Sequence, residues 1–95
     1  MAVSHISVIV SRAMAADEDS PIAVFMTKDK LLRAVFANTV ETYKRIRAGD
    51  RNLVGVFHGR MFAKDIRERL QKASPKAVRK EAEWREEQAT RRGRK

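Results

Sequence analysis

Lysine and arginine side chains carry the most evident chemistry in this sequence. The chain has 21 of them in 95 residues against 12 aspartates and glutamates, which gives a net charge of +9. Residues 31–95 hold the whole excess, whereas residues 1–30 are slightly acidic. Dense positive charge attracts polyanions, and the net value exceeds the roughly 2 to 8 that solubility asks of a small domain. The sequence therefore indicates a binding surface for phosphate or carboxylate groups.

The candidate binding residues form three groups along the chain. Two groups lie at the end of one predicted helix and on the next: Lys44, Arg45, Arg47, Arg60, Lys64 and Arg67. The third lies on the last predicted helix and its tail: Arg79, Lys80, Trp84, Arg85, Arg91, Arg92 and Arg94. Trp84 is interpreted either as a contact for a base or a partner, or as a side chain that packs back onto the sheet.

Catalytic and metal-binding patterns are absent from the sequence. There is no cysteine, and neither His5 nor His58 has a second ligand at metal-binding spacing. The acidic run Asp17 to Asp19 precedes Pro21 and is typical of a solvated turn. No glycine-rich phosphate loop or nucleophile motif occurs. We therefore expect no enzyme, no catalytic residue, no metal site and no cofactor.

Three short apolar segments predict strands. Residues 4–11 alternate between polar and apolar side chains, and Ile22 to Met26 and Leu53 to Phe57 are apolar runs of strand length. Between the last two, apolar residues recur every three or four positions from Lys28 to Ala48, which predicts one long helix with Thr27 as its cap.

Two further helices are predicted after Gly59. Phe62, Ile66, Leu70 and Ala73 form one apolar stripe, so the first should run through this segment. Ser74 and Pro75 are a capping residue and a first-turn residue, so a second helix should run from Pro75 to about Thr90. Glu81 with Arg85 and Glu87 with Arg91 are favourably spaced ion pairs on it.

Together these elements predict a small single domain of the α/β (α+β) class. Its order is β-β-α-β-α-α, with a three-stranded mixed sheet in which a right-handed crossover makes the strands of Ile22 and Leu53 parallel. Residues 1–74 should form the compact core, and 75–95 the basic C-terminal helix and flexible tail. Ile9, Ala23 and Gly55 should face outward from the sheet, where the C-terminal helix or a second copy in a homodimer would cover them.

Two functions fit these features. The first is a non-enzymatic protein that binds nucleic acid or a nucleoprotein complex through its Lys- and Arg-rich helices. The second is an inhibitor or regulator whose basic face binds an acidic surface of a larger protein complex. In size, charge and lack of catalytic motifs the chain resembles small accessory proteins of phages and mobile elements, including anti-defence inhibitors such as anti-CRISPR proteins. The apolar run at Ile6 to Val10 is too short for a membrane span, so we expect a cytoplasmic protein with no membrane partner.

Overall fold

The computed structural model describes residues 4–93 as an α+β domain with a three-stranded sheet and four helices. The elements in chain order are α1 (Ile6–Ala15), β1 (Ile22–Met26), β2 (Leu32–Phe36), α2 (Val40–Arg47), β3 (Leu53–Phe57), α3 (Ala63–Ala73) and α4 (Pro75–Gly93). The small α+β domain is confirmed, and from β1 onward the elements follow the predicted order. The residues assigned to the first half of that order differ from the prediction.

The sheet is antiparallel throughout, so the predicted mixed sheet is wrong. Its strand order is β2-β1-β3, with β1 in the centre and antiparallel to both neighbours. Val24 lies opposite Ala34 in β2 and opposite Gly55 in β3. The predicted crossover failed because a hairpin between β1 and β2 reverses the chain once more before it returns to form β3.

That hairpin replaces the first half of the predicted helix from Lys28 to Ala48. The Thr27 carbonyl accepts a hydrogen bond from the Lys30 N–H, and the Thr27 side chain accepts one from the Leu31 N–H. Lys30 has a φ of 65°, the left-handed conformation that closes a three-residue hairpin loop. Helical structure begins only at Val40, where Thr39 caps α2 by accepting a hydrogen bond from the Thr42 N–H.

The first element is also a correction, because the predicted strand over residues 4–11 is part of a helix. Ile6, Ile9, Val10 and Ala13 are buried, and their spacing of three, four and seven residues defines one helical face. Val8, which alternation would have placed in the core, is exposed. Burial of this face outweighs the strand preference of the β-branched residues.

Helices cover both faces of the sheet. On one face, α1, α3 and α4 bury an apolar core around Phe57, and on the other α2 lies over Phe25. Ile9, Ala23 and Gly55 are all buried, so their predicted outward position is wrong. The open sheet face that suggested a homodimer is therefore not present, and the homodimer itself stays a prediction.

The two C-terminal helices occur where the sequence predicted them. Ile66 and Leu70 of α3 are fully buried. Ser74 caps α4 by accepting a hydrogen bond from the Ala77 N–H at 3.0 Å, and it donates its hydroxyl hydrogen to the Lys30 carbonyl. Within residues 4–93, none of the helices is both long and apolar enough to cross a bilayer.

Candidate nucleic-acid interface

The structure divides the predicted basic residues between two sides of the sheet. Lys44, Arg45 and Arg47 belong to α2, which packs on the Phe25 face. The other predicted residues that it describes lie on α3, on α4, or just before α3 at Arg60. A single continuous surface through all three groups is therefore not formed.

On the α2 side, only one of the three predicted cations lacks a partner. Arg45 lies over the Phe25 ring, with its guanidinium carbon 3.9 Å from the ring centre, and its Nη2 pairs with Asp50 at 2.8 Å. Arg47 donates a hydrogen bond to the Tyr43 hydroxyl at 3.1 Å. Hydrogen bonds from the Asn52 N–H and from Arg45 lower the pKa of Asp50, which keeps this carboxylate charged. Arg45 is thus mainly a structural residue.

Two predicted cations of the helical side are held by one carboxylate. Glu81 of α4 accepts hydrogen bonds from the N–H of Ser7, at 2.8 Å, and from its hydroxyl. Arg85 Nη2 lies 3.5 Å and Arg67 Nη1 lies 3.7 Å from its oxygens, and both guanidiniums also donate to the Ser7 Oγ. This network, which we call the Glu81 network, joins α1, α3 and α4.

The electrostatics of the Glu81 network favour the charged carboxylate. Burial raises the pKa of Glu81, but the hydrogen bonds from Ser7 and the charges of Arg85 and Arg67 outweigh burial and bring the pKa below its ordinary value. Because Ser7 lies in the first turn of α1, the carboxylate also stabilises the positive end of that helix. The network therefore holds α4 against the rest of the domain.

Trp84 packs back against the domain. Its indole stacks on the imidazole of His5, with ring centres 4.7 Å apart and planes 18° apart. The stack is with the residue before α1 and not with the sheet, as the sequence interpretation had it. Trp84 remains half-buried, and one side of it borders an open groove with Arg85, Gln88 and Ala89.

The remaining predicted residues differ in whether they have partners. Arg60 pairs with Glu18 at 3.3 Å, and Arg91 pairs with Glu87 at 2.9 Å, as its spacing predicted. Lys64, Arg79 and Lys80 are exposed, and no ion pair involves them among the side chains that the structure describes. Arg94 and the side chain of Arg92 lie outside the described part of the chain.

Three cations that were not selected from the sequence come together at another place. Lys30, Arg51 and Arg69 line an open cleft of about 430 Å³ between the β1–β2 hairpin, the start of β3 and α3. None of the three belongs to an ion pair within residues 4–93. They are 18 to 39 positions apart in sequence, so no local motif could have brought them to notice.

Comparisons of the chain with models of protein families, with curated proteins and with solved structures gave no match. The functional argument therefore depends on the charges and contacts of the residues themselves.

Proposed function

We propose that this protein binds nucleic acid through its sugar-phosphate backbone, without catalysing a reaction. The observation that supports the proposal is the surplus of exposed cations that no carboxylate of the domain neutralises. Lys44, Lys64, Arg79 and Lys80 are examples on both sides of the sheet. Cations of this kind keep their full charge available to displace counterions from phosphates.

The paired arginines contribute to this function indirectly. Arg45, Arg67 and Arg85 have their guanidiniums committed to Asp50 or Glu81, so they support the surface that displays the unpaired cations. The binding should depend little on base sequence, since the exposed basic residues are long flexible side chains that suit phosphates rather than base edges.

Fluorescence anisotropy with labelled single-stranded DNA, double-stranded DNA and RNA of equal length tests the proposal. Wild-type protein should bind at low salt, and Lys64→Gln, Arg79→Gln and Lys80→Gln combined should weaken binding and flatten its salt dependence by about 0.7 per lost contact to a single strand. Lys44→Gln reports separately on the α2 side. Wild-type affinity for none of the three ligands at low salt would refute the proposal.

A protein partner is the second candidate, and the α2 side favours it. Phe36, Val40 and Tyr43 are 57, 70 and 53% exposed, which is unusual for apolar side chains at the end of β2 and on one short helix. The inhibitor or regulator of a larger complex that the sequence suggested would use such residues as contacts. Affinity capture from lysate with and without nuclease separates the candidates, because a partner that persists after nuclease treatment is bound through protein.

A further inference from the structure

We infer that the cleft of Lys30, Arg51 and Arg69 is a phosphate-binding site. The inference extends the proposed function, in which the phosphate belongs to a nucleic-acid strand, by naming the place where one phosphate is held. Three positive side chains from three separate elements border one concavity, and no carboxylate is among the residues that line it.

The cations of the cleft keep their charge free for a ligand. Asp50, the acidic neighbour of Arg51, is already held by Arg45 and by the Asn52 N–H. Asp65 is one helical turn before Arg69, yet no ion pair or hydrogen bond joins their side chains in the described part of the chain. A dianionic or monoanionic oxygen group would thus meet uncompensated positive charge on three sides.

The backbone around the cleft is firmly held. The Lys30 carbonyl accepts the Ser74 hydroxyl, and the Lys30 N–H donates to the Thr27 carbonyl at 3.0 Å. The Asn52 carbonyl accepts from the Met26 N–H at 2.8 Å, which ties the turn of Arg51 to β1. The long side chains can adjust, whereas the points from which they extend are fixed, and this lowers the entropic cost of binding.

Lys30 itself is a conformational exception. Its φ of 65° is a left-handed conformation that glycine and asparagine adopt more readily than lysine. A lysine at this position places a charge at the rim of the cleft despite the backbone cost. Strained residues of this kind are concentrated at functional sites, which makes the position a second observation in favour of a ligand.

The shape of the cleft suits a nucleotide unit better than a bare ion. Met26, Leu53, Val54 and Ala73 contribute apolar lining, and the Asn52 side chain offers an amide beside the cations. A phosphate could contact the cations while the attached sugar lies against the apolar residues. The same chemistry could come from a phosphodiester of a strand or from a free nucleotide.

The test compares two variants with equal loss of charge. Lys30→Gln, Arg51→Gln and Arg69→Gln together empty the cleft of cations, and Lys28→Gln, Lys72→Gln and Lys76→Gln together remove three exposed cations that do not line it. Affinity for a fluorescent oligothymidylate should fall about tenfold or more in the cleft variant, the loss of about one charge-assisted hydrogen bond, and about threefold or less in the control. Circular dichroism verifies that both variants are folded.

Amide chemical shifts of ¹⁵N-labelled wild-type protein supply the independent readout. Oligothymidylate should shift the amides of Lys30, Arg51 and Arg69, and thymidine monophosphate at millimolar concentration should shift the same amides more weakly. If the strand binds but leaves these amides unmoved, and the two variants lose affinity equally, the cleft inference is overturned and the proposed function stands. If no strand binds and the mononucleotide still shifts these amides, the proposed function fails and the cleft is a nucleotide site. If neither ligand shifts them, the inference fails.

Discussion

Replacement of Glu81 by alanine is the mutation with the largest expected effect on stability. The carboxylate is 5% exposed and accepts hydrogen bonds from Ser7, so its loss leaves the Ser7 N–H at the start of α1 without an acceptor. A hydrogen bond to a charged group contributes about 1.5 to 3 kcal/mol, and a negative charge at a helix N-terminus adds about 0.3 to 1 kcal/mol.

The ion pairs of Glu81 add less than its hydrogen bonds. The Arg67 and Arg85 side chains are 34 and 60% exposed, so solvent screens them and each pair contributes at most about 1 kcal/mol. We expect Glu81→Ala to lower the free energy of unfolding by about 3 kcal/mol, and Glu81→Gln, which keeps one acceptor oxygen, by about 1.5 kcal/mol. For a domain of this size, a loss of 1 kcal/mol lowers the Tm by about 4 to 8 °C.

Urea denaturation followed by circular dichroism measures both variants, with Glu83→Ala as the matched control. Glu83 is an exposed glutamate of the same helix without an ion pair among the described side chains, and its replacement should change stability by less than about 0.5 kcal/mol. A loss below about 0.5 kcal/mol in Glu81→Ala, equal to the control, would refute the assignment of Glu81 as the residue that holds α4.

The pH dependence of this difference is a second check on the same reasoning. The pKa of Glu81 is lowered in the folded protein from its ordinary value of 4.5, so its contribution to stability is complete above that value. The contribution is lost as the pH falls below 4.5 and through the folded pKa. The stability difference between wild type and Glu81→Gln should therefore be constant from pH 6 to 8 and shrink below pH 4.5. A difference that stays constant into acid would contradict the network.

Three further mutations test local features of the fold by thermal or urea denaturation. Lys30→Gly should raise the free energy of unfolding by about 0.5 kcal/mol, because glycine relieves the left-handed strain of about 1 kcal/mol but gains freedom when unfolded; a loss of stability would show that the lysine is not strained. Ser74→Ala should cost about 2 kcal/mol, since both the cap of α4 and the hydrogen bond to the Lys30 carbonyl are lost; a neutral result would contradict the bridge. Gly59→Ala should cost about 2 kcal/mol, because its Cβ would lie 2.6 Å from the Met14 carbonyl oxygen and the backbone would have to move; unchanged stability would contradict that close approach.

The later half of the fold was predictable because its signals are local. The strand at Leu53, the helices of Ile66 and Ala77 and the cap at Ser74 follow from short apolar patterns and from turn residues. The hairpin of Lys30 was missed because no Asn-Gly or Asp-Gly pair marks it.

The helix α1 was missed for a different reason. Its segment is rich in valine and isoleucine and satisfies both a strand pattern and a helix pattern. Only the packing of Ile6, Ile9 and Ala13 against α3 and α4 decides between them. Such a choice depends on tertiary contacts that a single sequence does not display.

The candidate site was predictable in its charge and not in its detail. The basic surplus is visible in composition, but which cations are free depends on partners far apart in sequence. Ser7 and Glu81 are separated by 74 positions, and their contact explains why Arg67 and Arg85 are paired. Conversely, Lys30 and Arg69 meet at one cleft only because the hairpin packs beside α3.

The salt dependence of binding by the wild-type protein is the most direct test of the central claim. Anisotropy of a labelled single strand at several salt concentrations should give a logarithm of affinity that falls linearly with the logarithm of salt, with a slope of about −2 to −4 for three to five phosphates. An affinity independent of salt, or no binding at 20 to 50 mM salt, would contradict the claim that unpaired cations bind the phosphate backbone.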